Sequence, residues 1–143
     1  MEINFSWFGD SGNWPEHPGK SAAVVDSTIV GPSGFLDQLE TFLGLGRPKV
    51  SNVQRIAAYR RKLEQAGPNR FWDASFSIDP WSATRELLSW RDELIAAGWR
   101  PGMAASKTRF VDLAAAEVTE AVLPLGESDR LRAVIEEGAG LDS

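Results

Sequence analysis

Near the amino terminus, Ile3, Phe5 and Trp7 recur at every second position, and this two-residue rhythm predicts a strand over residues 3–8. A turn-rich stretch follows at 9–20, punctuated by Gly9, Gly12, Pro15, Pro18 and Gly19. A second strand over 22–30 runs into Gly31-Pro32-Ser33-Gly34. The rhythm then changes to that of a helix, with Phe35, Leu36, Leu39, Phe42 and Leu43 forming one stripe before Gly44 and Gly46 stop it.

Ser51 is placed to cap a helix that runs to Ala66, where Gly67 and Pro68 end it. In 72–78, Trp72, Ala74, Phe76 and Ile78 alternate with Asp73, Ser75 and Ser77, the pattern of a half-buried strand. Asp79 caps the next helix, Pro80 occupies its first turn and Gly98 closes it. Helices over 107–123 and 128–137 complete the chain. The order is β-β-α-α-β-α-α-α, which predicts a single α/β domain with a small parallel sheet of Rossmann or P-loop type and flanking helices. Trp72, Trp81 and Trp90 fall on apolar faces and are expected in the core.

Two arginines interrupt apolar stripes. At about 100° per residue, with Leu87 at 0°, Leu94 lies near −20°, Ile95 near 80° and Arg91 near 40°, inside the stripe. Arg60 sits similarly among Val53, Ile56 and Leu63. An arginine so placed is a finger for a neighbouring subunit, a stem that snorkels to the edge or, the reading adopted for both, a member of a structural ion pair, with Arg91 expected on a carboxylate from another element such as Asp37, Glu40 or Asp79.

The net charge of −5 conceals a segregation. Residues 1–46 carry six acids and one lysine, whereas 47–70 carry seven bases against Glu64 alone. Such a segment is either a helix docked on acidic neighbours or a phosphate-binding patch. Arg55, Arg61 and Lys62, on the polar side of the predicted helix, are the candidate contacts to DNA or a partner. There is no cysteine, which removes disulfides and thiolate metal sites. No signal peptide and no apolar run long enough for a membrane span are present, so the expected location is the cytoplasm.

Catalytic motifs are incomplete. Gly31-Pro32-Ser33-Gly34 sits where a phosphate loop belongs, between strand and helix, but lacks the lysine and hydroxyl residue such a loop needs, and Pro32 removes an amide donor. It reads as a degenerate phosphate loop with no cofactor. Gly19-Lys20-Ser21 has Trp14 where the first glycine is required, and Gly44-Leu45-Gly46 follows a helix and has Lys49 at the third glycine position. His17, the only imidazole, lies between Glu16 and Pro18 in a turn-rich segment. A metal-dependent nuclease of the restriction-enzyme type needs an acid two residues before a lysine. Pro18, Arg47, Arg60 and Ala105 stand there before Lys20, Lys49, Lys62 and Lys107. No catalytic residue and no metal ligand is assigned.

Residues 29–45, IVGPSGFLDQLETFLGL, and 75–99, SFSIDPWSATRELLSWRDELIAAGW, resemble a family of large bacterial nucleases of the PD-(D/E)XK superfamily. These are similar to the B subunit of the exonuclease V type helicase–nuclease that processes double-strand breaks. The likeness continues through RIAAYRRKL at 55–63, RFVDLAAAE at 109–117 and GESDRLRAV at 126–134, so it covers nearly the whole chain. It implies a noncatalytic, helicase-like amino-terminal domain of a DNA repair and recombination nuclease. The nuclease motif would lie far downstream, and this sequence would be a piece of a larger protein. The implied partners are DNA, a helicase or nuclease subunit, or the rest of a parent chain, with no membrane. The alternative is a stand-alone regulatory or ligand-binding α/β domain.

Overall fold

The computed structural model describes residues 2–11, 27–103 and 107–141. His17, Lys20 and the 22–26 portion of the expected second strand lie outside them. The chain divides into two compact units, residues 1–47 with 134–143, and residues 48–133.

In the first unit, β1 (Glu2–Phe5) pairs in parallel with β2 (Ser27–Val30), in the register Glu2 to Ser27 through Phe5 to Val30. The first strand is shorter than its alternation suggests. After Ser6, whose amide still donates to the Val30 carbonyl at 2.9 Å, the chain turns through a short 3-10 segment, Gly9–Ser11. Phe5 packs edge-on against Trp7 and Phe35, with ring centroids 5.2 and 5.7 Å apart. Helix α1 (Pro32–Phe42) begins one residue after Gly31, so Pro32, Ser33 and Gly34 form its first turn rather than a loop before it. Pro32 suits that position because its missing amide hydrogen would have had no partner within the helix.

The second unit is helical. Helix α2 (Asn52–Gln65) opens with a capping box in which Ser51 Oγ accepts from the Gln54 amide while the Gln54 side chain accepts from the Ser51 amide. Helix α3 (Asp73–Ile78) leads into α4 (Pro80–Ala96), which Asp79 caps through the Trp81 and Ser82 amides at 3.1 Å. Helix α5 (Thr108–Glu117) and the first turns of α6 (Glu127–Leu141) complete the unit. Gly67 and Gly98 adopt φ of 80° and 89° just beyond α2 and α4, backbone that stops a helix at little cost only in glycine.

Residues 72–78 are a helix, not the strand their alternation predicts. A strand and a helix both place positions i and i+4 on one side, so Trp72 and Phe76 face inward either way: Trp72 is 3% exposed and Phe76 packs on the core cluster. Ala74 and Ile78 separate the two readings. Both are exposed, Ile78 at 85%, as a helix requires. The core of this unit is formed by Ile56, Tyr59, Leu63, Trp72, Leu87, Leu88, Leu113 and Ala116.

Trp81 and Trp90, expected in this core, are instead about 40% exposed. On α4 they lie at the edge of the stripe centred on Leu87 and Leu88.

Candidate functional site

The Gly31–Gly34 turn has an internal occupant. The Asp10 carboxylate accepts from the Ser33 amide at 2.7 Å and from the Gly34 amide at 3.2 Å, on the first-turn donors where a helix would hold a phosphate. Those hydrogen bonds, led by the Ser33 amide, hold the Asp10 carboxyl below its ordinary pKa. Contact between the Gly9–Ser11 segment and this turn is close: a Cβ on Gly31 would run into the Asp10 backbone and carboxylate, and one on Gly9 into the backbone of Val30 and Gly31. Glycine is required at 9 and 31 for space.

In the second unit two members of the basic segment are turned inward. Arg55 and Lys62, assigned from sequence to a solvent-facing polar side, are 8% and 5% exposed, and Arg60, assigned to the apolar stripe, is on the surface. Helix α2 is rotated from the sequence-based wheel because its buried face is built from Ile56, Tyr59 and Leu63 together with these two cations, while Val53 is 62% exposed. Hydrophobic periodicity cannot register a cation whose charge is satisfied inside.

Three carboxylates, Asp92, Glu117 and Asp129, hold Arg55 and Arg91. Arg55 forms a bidentate pair with Asp92, at 2.6 and 2.9 Å, and donates from Nε to the Pro124 carbonyl. Arg91 is bidentate to Glu117, at 3.2 and 3.1 Å, and reaches Asp129 at 2.7 Å and Asp92 at 3.0 Å. These partners on α4, α5 and α6 replace the expected Asp37, Glu40 and Asp79, the last of which caps α4. Burial works against the Asp129 charge, but the hydrogen bond and charge of Arg91, the Gly126 amide and Arg55 outweigh it and hold the carboxyl below its usual range. A Cβ on Gly126 would collide with the Arg55 guanidinium.

Lys62 Nζ donates to the carbonyls of Glu117 and Thr119 at 3.0 and 3.3 Å, neutralising the carbonyl end of α5, and its burial lowers its pKa. Arg70 joins the Ala66 carbonyl at the end of α2 to Asp112 on α5, at 2.8 and 2.9 Å. Arg60 pairs with Glu64, one turn away and equally exposed. Of the three sequence-assigned contact residues, Arg61 alone is on the surface.

A different surface of this unit combines aromatic faces with cations. On α4, Trp90, Glu93, Leu94 and Ala97 recur at the i, i+3, i+4 and i+7 spacing of one helix side, and they face Lys107, Arg109, Phe110 and Leu113 of α5 and its entry. Phe71 also lines this groove, whose volume is about 1080 Å³. The Arg109 guanidinium stands 5.6 Å over the Phe71 ring, a cation–π contact. A smaller recess of about 230 Å³ continues past Phe71, Trp90 and Arg109 toward Trp72 and Leu87. Sequence reasoning missed this site because Trp90 reads as core, and because Lys107 and Arg109 lie outside the densest basic run. The spacing of Trp90 beyond the Leu87–Leu94 line was the available signal.

Among the described residues no group of three or more metal-ligating side chains converges, and no helix is long and apolar enough to cross a membrane. Comparison with known proteins returns no matching family model, no matching curated protein and no matching solved structure.

Proposed function

We propose that this chain is a noncatalytic contact domain of a DNA double-strand-break repair nuclease, in which a degenerate phosphate-loop unit accompanies a helical unit that touches DNA or a partner subunit. The observation that carries the reading is the Asp10 carboxylate on the Ser33 and Gly34 amides. A nucleotide phosphate seated there would have to displace a fixed negative charge and would find no lysine in the turn to offset it. The resemblance of residues 29–45 and 75–99 to the repair nucleases supplies the process, and the aromatic and cationic groove supplies a surface for contact.

The test is turnover of radiolabelled ATP, and magnesium-dependent cleavage of DNA, by the purified chain, together with retention of labelled DNA at low salt. The expected result is retention without turnover or cleavage. ATP hydrolysis that disappears with Gly31→Ala would overturn the noncatalytic assignment, and absence of DNA retention would overturn direct DNA contact.

A further inference from the structure

We infer that the groove between α4 and α5 receives an unpaired base of single-stranded nucleic acid, with the base against Trp90 and its phosphate beside Lys107 and Arg109. The inference rests on the proposed DNA-contact reading and gives it a location. Three features of the groove converge. Trp90 leaves 39% of its surface exposed and lines both the groove and the recess beside it. Flat aromatic faces presented to solvent accept any base, since every base has a π-face.

Lys107 and Arg109 stand at the amino-terminal end of α5, where Lys107 is the N-cap residue, provides no side-chain cap and is followed by no acid in the first turn. Cations at that end oppose the helix dipole, so their charge is not placed to stabilise α5 through it. It concentrates positive potential at the groove mouth, which complements an anion. Glu93 lines the groove and Glu86 the recess beside it, both on α4, while the cations stand on α5 and its entry, so the charge is asymmetric and orients a phosphate toward α5. A paired duplex keeps its bases stacked and cannot offer a face to Trp90, so the strand must be single or locally unpaired. The first unit is a poorer site for the same ligand: Glu2, Asp10, Asp37 and Glu40 are its charged residues among the described positions up to Gly46.

The test uses the whole chain and a fluorescent oligothymidylate of about a dozen residues with one 2-aminopurine as the stacking probe. Binding should quench the 2-aminopurine. Trp90→Ala should weaken binding between roughly fivefold and a hundredfold, the loss of one stacked base, whereas Trp90→Phe should retain most of it. Arg109→Glu, on an exposed side chain, controls for any unfolding of the Trp90 variant and should also weaken binding. Oligonucleotide binding that is indifferent to all three variants would overturn the groove while leaving DNA contact standing. No oligonucleotide binding would overturn both, and saturable binding of an acidic, phenylalanine-containing peptide in its place would assign the groove to a protein partner and overturn the inference.

Discussion

In the first unit the carboxylate that organises the structure, Asp10, is exposed and bonds backbone amides, whereas in the second the organising charges are buried and bond one another. The first unit leaves Phe5, Trp7, Phe8 and Phe42 between 46% and 83% exposed around a two-stranded sheet. Around the core of the second unit, two guanidinium groups and three carboxylates tie α2, α4, α5 and the start of α6 together. A charge on backbone amides fixes one local turn, and its loss is felt locally. A charge shared among four helices fixes their mutual register, and its loss leaves the remaining members with less compensation than their burial needs. Residues of the same type should therefore differ widely in importance according to the unit and the side of the helix they occupy.

Arg91→Ala should produce the largest effect, a loss of about 3–5 kcal/mol, because it removes the bidentate partner of Glu117 and the nearest cation to buried Asp129. Arg91→Lys should recover only part of this, since an ammonium cannot reproduce the bidentate fork to Glu117. Urea denaturation of the three proteins measures both, and a loss under about 0.5 kcal/mol for the alanine variant would contradict the network's role. Gly126→Ala should come next, at about 1–3 kcal/mol, because the guanidinium its Cβ would strike is held by Asp92 and the Pro124 carbonyl and can shift only by giving up those bonds.

The same network predicts an acid transition. Asp129 has a folded pKa below its unfolded value, so the folded state binds fewer protons and stability rises with pH. This contribution is present above about pH 4 and is lost as pH falls through the lower folded value. Asp129→Asn should flatten that part of the stability profile, and an unchanged slope would mean that another carboxyl controls it. The smallest effect belongs to Arg60→Ala, at about 0.3–0.5 kcal/mol, since its pair with Glu64 is exposed and confined to one helix.

Helix boundaries were legible in the sequence because caps and stops are local chemistry: Ser51 with Gln54, Asp79 with Pro80, and Gly67 and Gly98 each act within one turn. The 72–78 segment was not, because Trp72 and Phe76 satisfy both periodicities and the deciding residues, Ala74 and Ile78, differ only in what lies outside the segment. Arg91 could be placed in its stripe from spacing alone, but its partners could not, since Asp129 and Glu117 are 38 and 26 residues away in sequence. Arg55 and Lys62 were misplaced for a related reason: a wheel that sorts residues by polarity sends every cation outward. The groove required knowing that Trp90 overhangs the core, which depends on where α5 packs.

The most direct measurement of the functional claim is the salt dependence of oligothymidylate binding for the unaltered chain, Arg109→Glu and Arg61→Glu. Both arginines are exposed, and they represent the groove and the outer side of α2 respectively. The account predicts that Arg109→Glu weakens binding and reduces the slope of log affinity against log salt by about 0.7, one phosphate contact on a single strand, while Arg61→Glu leaves the slope unchanged. A flattened slope for Arg61→Glu with Arg109→Glu unaffected would contradict it and place the nucleic acid on α2.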